Sequence, residues 1–171
     1  MTRPTKDKYY LDLAKTIGQR SNCYRSKLGA IIIRDDQIVA TGYIGAPRKT
    51  KDCLERNNCL RDEMNIPHGQ RYEMCRSVHA EQNAIINAAR AGVSILGGDI
   101  YISGEGKDQK LINAFPCYIC KKMIINAGLK RVICSTQDNK IKVFLVEDWT
   151  KEWQKKDIID DQDQYGQERN N

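Results

Sequence analysis

Two short motifs constrain this chain most: His79-Ala80-Glu81 and Pro116-Cys117-Tyr118-Ile119-Cys120. Each stands at the head of a helical pattern. After the first, Ala80, Ala84, Ile85, Ala88 and Ala89 recur on one side until Gly92. After the second, the pattern runs to Ala127 and stops at Gly128. A Cys-x-x-Cys pair at a helix start can aim both sulfurs at one ion, and the positive helix end favours the thiolates that zinc needs. One histidine nitrogen completes a three-ligand set. That leaves a fourth tetrahedral position for water, as in catalytic rather than structural zinc. Glu81, two residues from the ligand, is placed to move that water's proton without ligating the metal. The fold must therefore bring two helix N-termini together across 38 positions of sequence. A thioredoxin-like redox pair is the rival reading of Cys-x-x-Cys, but it leaves His79 and Glu81 unexplained.

The remaining patterns supply a frame. Residues 7–20 read as a helix, with Tyr10, Leu13, Ala14 and Ile17 at helical spacing. Residues 28–34 and 37–42 read as a hairpin joined by Asp35-Asp36. Residues 99–103, 130–135 and 141–146 read as strands, and 104–113 as a polar loop. The order β-β-α-β-α-β predicts a layered α/β domain. Residues 43–76 are polar and broken by Gly45, Pro47, Pro67 and Gly69, an irregular insertion that something must hold. Trp149 and Trp153 pin a last short helix. The expected domain spans 1–159, followed by a frayed, acidic tail over 160–171.

Composition narrows the class. The chain has 171 residues, a net charge of +6 and seven cysteines. No apolar run approaches the ~20 residues of a membrane helix, and Met1–Lys6 has no signal-peptide core, so a cytoplasmic protein without a membrane partner is expected. An odd number of thiols in that setting favours metal over disulfides. The positive charge points to an anionic partner, nucleic acid or nucleotide. Aromatic residues make up only 7% of the chain and lie mostly outside the motifs, which favours a free nucleotide over a single strand and argues against a stable nucleic-acid partner.

The pattern H-x-E followed by P-C-x-x-C is that of zinc-dependent nucleobase deaminases. A longer set of residues goes further: 42–48 (GYIGAPR), 59–63 (CLRDE), 66–69 (IPHG) and 75–85 (CRSVHAEQNAI). Across about 20–134 the chain resembles the deoxycytidylate (dCMP) deaminases of the cytidine/deoxycytidylate deaminase superfamily. The resemblance implies a cytidine-deaminase fold, a mixed five-stranded sheet between helices in α-β-α layers. It implies hydrolysis of dCMP to dUMP and ammonia, feeding dTTP synthesis, in a hexamer activated by dCTP and inhibited by dTTP. It makes His79, Cys117 and Cys120 the catalytic zinc ligands and Glu81 the proton shuttle.

Of the other cysteines, Cys134 ends an apolar strand and reads as a small buried residue. Cys23, Cys53, Cys59 and Cys75 bracket the insertion and offer a closed, structural zinc site, with His68 as a substitute ligand. Some members of the resembled family carry a second zinc here. By the same resemblance, Arg25 faces the substrate phosphate, and Gln137 stands where a substrate-contacting tyrosine is frequent. Lys27, Ile44, Gly45, Arg48 and Arg90 fall in an effector site for a triphosphate with Mg²⁺. Ile44 departs from the family's usual asparagine and removes a hydrogen bond to the nucleotide. The alternatives are a deaminase of dCTP or of cytosine in single-stranded nucleic acid, and, in another class, a non-catalytic zinc module that binds nucleic acid.

Overall fold

The computed structural model describes residues 2–67 and 69–156. Its first helix, α1 (Lys6–Gly18), opens where the Thr5 hydroxyl accepts from the Lys8 amide. The strands β1 (Ser26–Arg34) and β2 (Gln37–Tyr43) form the expected hairpin. Asp35 and Asp36 both adopt positive φ, at 52° and 60°, the backbone that a two-residue turn of matching twist requires.

The insertion is less irregular than its composition suggests. It contains a short helix, α2 (Leu60–Glu63), and a single 3-10 turn at Tyr72–Met74. Then come α3 (Ala80–Ala91), β3 (Asp99–Gly106), α4 (Tyr118–Asn126), β4 (Arg131–Ser135), β5 (Ile141–Leu145) and α5 (Val146–Lys155). The predicted loop at 104–113 begins later than expected, because Gly104, Glu105 and Gly106 pair with Leu28, Lys27 and Ser26 of β1. That pairing extends β3 through residues whose own preferences favour a loop.

The five strands lie in the order β2-β1-β3-β4-β5. Only β3 and β4 run parallel; the other pairs are antiparallel. Strand alternation divides the core between the two faces. Ile31, Ile33, Tyr101 and Ile133 meet Tyr10, Leu11 and Ala14 of α1. Ala30, Ile32, Ile100, Ile102, Val132 and Cys134 meet Ala80, Ala84 and Ala88 of α3, Ile124 of α4 and Trp149 of α5. The result is the expected α-β-α stack. Cys134 is fully buried, as expected for a small apolar residue. Trp149 anchors α5 as expected. No helix among the described residues is long and apolar enough to cross a membrane. The acidic tail expected over 160–171, and His68, lie outside the described residues.

Candidate active site

Both metal-binding motifs sit at helix N-caps. His79 is extended (φ −69°, ψ 157°) immediately before α3, and its amide donates to Gln82 Oε1 at 2.9 Å. Cys117 holds the equivalent place before α4 (φ −70°, ψ 168°). The start of α3 is fastened to β2. A Cβ at Gly42 would lie 2.3 Å from both the Ala80 carbonyl oxygen and the Ala84 amide nitrogen, so only glycine permits this approach. Asn83 Nδ2 donates to the Tyr43 carbonyl and Asn87 Nδ2 to the Thr41 carbonyl, each at 2.8 Å. Gly45 and Val78 exchange backbone hydrogen bonds just ahead of the histidine.

These fastenings bring His79 Nδ1 to 3.4 Å from Cys117 Sγ and to 3.4 Å from Cys120 Sγ. All three donor atoms lie within 4.8 Å of one another. A tetrahedral zinc with ordinary Zn–N and Zn–S bonds separates nitrogen from sulfur by about 3.5 Å. The donor set and spacing therefore fit zinc. Cys117 and Cys120 are essentially buried. The hydrogen bond from Cys120, and then His79, pull the Cys117 thiol down to about 4 against its burial. Cys120 is pushed well above the ordinary thiol range, because it shares its proton with Cys117, is buried, and faces the Glu81 carboxyl. Zinc takes both sulfurs as thiolates, so metal binding displaces the proton that the pair shares.

Glu81 is 4% exposed and meets the Cys120 thiol from the first turn of α3. The Tyr72 ring stands edge-on to His79, with ring centres 4.9 Å apart. Above these groups opens a cavity of about 290 Å³. Leu28, Ile44, Ile112 and Phe115 form its apolar wall; Arg25, Arg61, Ser77 and Asn113 bring polar groups into it. A buried carboxyl, a metal site and a largely apolar cavity of this size suit hydrolysis at a small heterocycle.

Residues 4–136 match the model of the cytidine and deoxycytidylate deaminase zinc-binding region. The chain belongs to this deaminase family. A deoxycytidylate deaminase of Mycobacterium phage D29 is 34% identical over 138 residues, which cover 78% of this chain and 96% of the relative. The deoxycytidylate deaminase of Schizosaccharomyces pombe is 31% identical over 80% of this chain, which spans 39% of that longer relative. The crystal structure of dCMP deaminase from cyanophage S-TIM5 superposes with a TM-score of 0.57 at 30% identity, covering 79% of this chain and 86% of that one. Cytidine deaminase from Burkholderia pseudomallei shares the fold, with a TM-score of 0.54 at 16% identity over 86% of this chain and 95% of that one.

The deaminase's other predicted residues fall into three places. Cys23, Cys53, Cys59 and Cys75 all border the cavity. Among the described residues they do not close into a set like that of His79, Cys117 and Cys120. Arg25 also lines the cavity, but its guanidinium is held by Asp62 at 2.5 Å and by the Ile66 carbonyl at 3.1 Å. Ile44, grouped with the effector residues by resemblance, lies in the cavity's wall. Lys27, Gly45, Arg48 and Arg90 lie outside that wall: Lys27 donates to Gln19, Arg48 donates to Asn87 at 2.7 Å, and Arg90 is exposed in the last turn of α3. Gln137 reaches the site at one remove, its backbone amide donating to Asn113 Oδ1 at 3.0 Å. Sequence reasoning missed Tyr72, Arg61, Ser77 and Asn113. Arg61 and Ser77 fall within the resembling stretches 59–63 and 75–85, but nothing in the pattern marks either as a site residue; Phe115, beside the Pro116-Cys117 start, was the one with a positional signal.

Proposed function

We propose that the chain hydrolyses dCMP to dUMP and ammonia. The observation that carries this reading is the placement of Glu81 beside the His79–Cys117–Cys120 set at the base of one cavity. The names of its relatives point to the same nucleotide, and the S-TIM5 enzyme has been crystallised with dCMP and dUMP. His79, Cys117 and Cys120 hold the zinc, which supplies the Lewis acidity that makes water a nucleophile near neutral pH. Glu81 accepts the proton of the water that attacks C4. It delivers that proton to N3, then takes the proton of the new C4 hydroxyl and passes it to the amino group, which leaves as ammonia as the C4 carbonyl forms. Leu28, Ile44, Ile112 and Phe115 keep bulk water from the pyrimidine.

Cys23, Cys53, Cys59 and Cys75 lie near enough to feel one another's charge, and in this reading they close on a second, structural zinc that orders the insertion. Cys23 Sγ accepts the Arg25 amide at 3.4 Å, a bond that suits a ligating thiolate. Burial pushes the Cys53 thiol up, while a hydrogen bond from Arg76 opposes the shift. Arg25 contacts Cys59 in the same way. Two arginines beside two of four thiols suit a centre that becomes anionic when its thiolates bind metal. Metal analysis of purified protein is expected to give two zinc ions per chain; a ratio of one removes this site. Lys27, Gly45, Arg48 and Arg90, with Mg²⁺, form the effector site for dCTP and dTTP in a cytoplasmic hexamer that supplies dUMP.

The deciding assay incubates zinc-loaded protein with dCMP, dCTP, deoxycytidine and a cytosine-containing oligonucleotide and measures ammonia. Turnover is expected to be fastest with dCMP. Preference for dCTP or for the oligonucleotide replaces the substrate, and no turnover of any of them ends the reading. Titrating dCTP and dTTP into the same assay tests the effectors.

A further inference from the structure

The sheet ends differently at its two edges. At the β2 edge, the Ile44 amide donates to the Leu28 carbonyl, and strand alternation then turns the Thr41 and Tyr43 carbonyls away from β1. Asn87 and Asn83 of α3 donate to those two carbonyls, so α3 closes this edge. The β5 edge has no such cover. Hydrogen bonds from Val146 to the Lys130 carbonyl and from Thr136 to the Lys140 carbonyl bracket the β4–β5 ladder. Alternation between them makes Val132 with Phe144 and Cys134 with Lys142 the hydrogen-bonded pairs. The amides of Ile141, Val143 and Leu145 and the carbonyls of Ile141 and Val143 therefore point out of the sheet, and none of the described residues hydrogen-bonds to them. The side chains of the same three residues share the α1 face with Ile133, which is fully buried. They are 40%, 42% and 42% exposed, because α1 packs over β1 and β3 and stops short of β5. An open edge with an apolar stripe is a template for another strand.

We infer that β5 is a self-association edge: two copies of the chain pair their β5 strands antiparallel about a two-fold axis at Val143, which joins two sheets into one. The strand is self-complementary in that register. Val143 meets its own counterpart, Ile141 stands opposite the second copy's Leu145, and the outward amides and carbonyls face one another. A one-residue slip would set lysine among the apolar side chains. Moving the axis to Lys142 would set two lysines face to face. Edge lysines commonly keep strands apart. With the axis at Val143, however, Lys142 stands opposite the second copy's Phe144, and its ammonium already lies 5.5 Å from the centre of the Phe144 ring on its own strand. Lys140 comes level with the second copy's Val146, just before the exposed Glu147 and Asp148 that open α5. Opposite charges thus meet at both ends of the paired strands. The contact is isologous, so it closes on itself and builds pairs rather than fibres.

The test measures the mass of the zinc-loaded full chain by sedimentation across a dilution series, for wild type, Val143→Lys, Val143→Glu and an equal mixture of the two variants. Wild type is expected as an assembly built of pairs. Each variant alone sets two like charges face to face at the axis and halves the mass. Mixing them restores it, because only a contact in which residue 143 meets its own counterpart turns two repelling edges into an attracting pair. Hydrogen exchange gives a second readout. The β4 strand holds none of the amides of Ile141, Val143 and Leu145, so slow exchange there in wild type, lost on dilution, reports a second strand. A monomeric wild type overturns the inference, whatever else covers the edge. So does unchanged mass in Val143→Lys, or a mixture that stays at half mass while both variants bind zinc. Should a variant not fold, exchange in wild type decides: protection of these three amides that disappears on dilution supports the pairing, and free exchange refutes it.

Discussion

Glu81 concentrates the chemistry in one side chain. It is buried, it touches the Cys120 thiol, and it is not needed to complete the metal's ligand set. Glu81→Gln is therefore expected to retain zinc while ammonia release falls by about 10²–10⁴-fold, the usual worth of a positioned acid–base group. Metal analysis and the ammonia assay on the same sample check both halves. Cys117→Ser removes the thiol that is already held low and should lose zinc and activity together, read by metal analysis. At this scale the zinc set and the shuttle were legible, because helix starts and ligand spacing are local properties. That Arg61, Tyr72 and Ser77 border the cavity was not, because that placement exists only once the insertion lies against the sheet.

Among elements, the junction of β2 with α3 matters most for the site. Gly42→Ala puts a methyl group against the backbone of α3, and neither element can move without disturbing His79. Overpacking of this kind costs roughly 1–3 kcal/mol, so thermal unfolding should come earlier and zinc occupancy should fall. A second junction joins α1 to the end of β3. Glu105 accepts from Gln19 at 3.3 Å and pairs with Lys15 at 2.7 Å, and its hydrogen bond to Lys15 pulls its carboxyl below the ordinary 4.5. A lowered carboxyl stabilises fully above the ordinary value, and its contribution fades as pH falls below that value through its own. Glu105→Gln should thus cost about 0.5–1 kcal/mol at pH 7, and the two proteins should converge on acidification. Denaturant melts across pH test this. The hairpin, α3 and α4 were legible from period and turn residues. The last three residues of β3 were not, since β1 recruits them as partners, and α2 is too short to show a period.

For the whole molecule, the strand order was the least legible feature. Composition and pattern gave layers and element order, but which strands become neighbours depends on long-range pairing. Five strands could be read from the pattern, but not which of them lie side by side. The order places β3 and β4 side by side and parallel, so the chain must cross over between them through α4. That crossover carries Cys117 and Cys120 back to the face on which α3 presents His79. Chain entropy then becomes relevant, because 38 positions separate His79 from Cys117. An ion gripping both ends turns that stretch into a ring, and a cross-link of this loop length restricts the unfolded chain by about 4 kcal/mol on the loop-closure model. The catalytic metal is consequently also a clasp. A chelator should make the protein unfold at lower temperature as well as silence it, and the span between the two ligand motifs should be where protection from proteases is first lost.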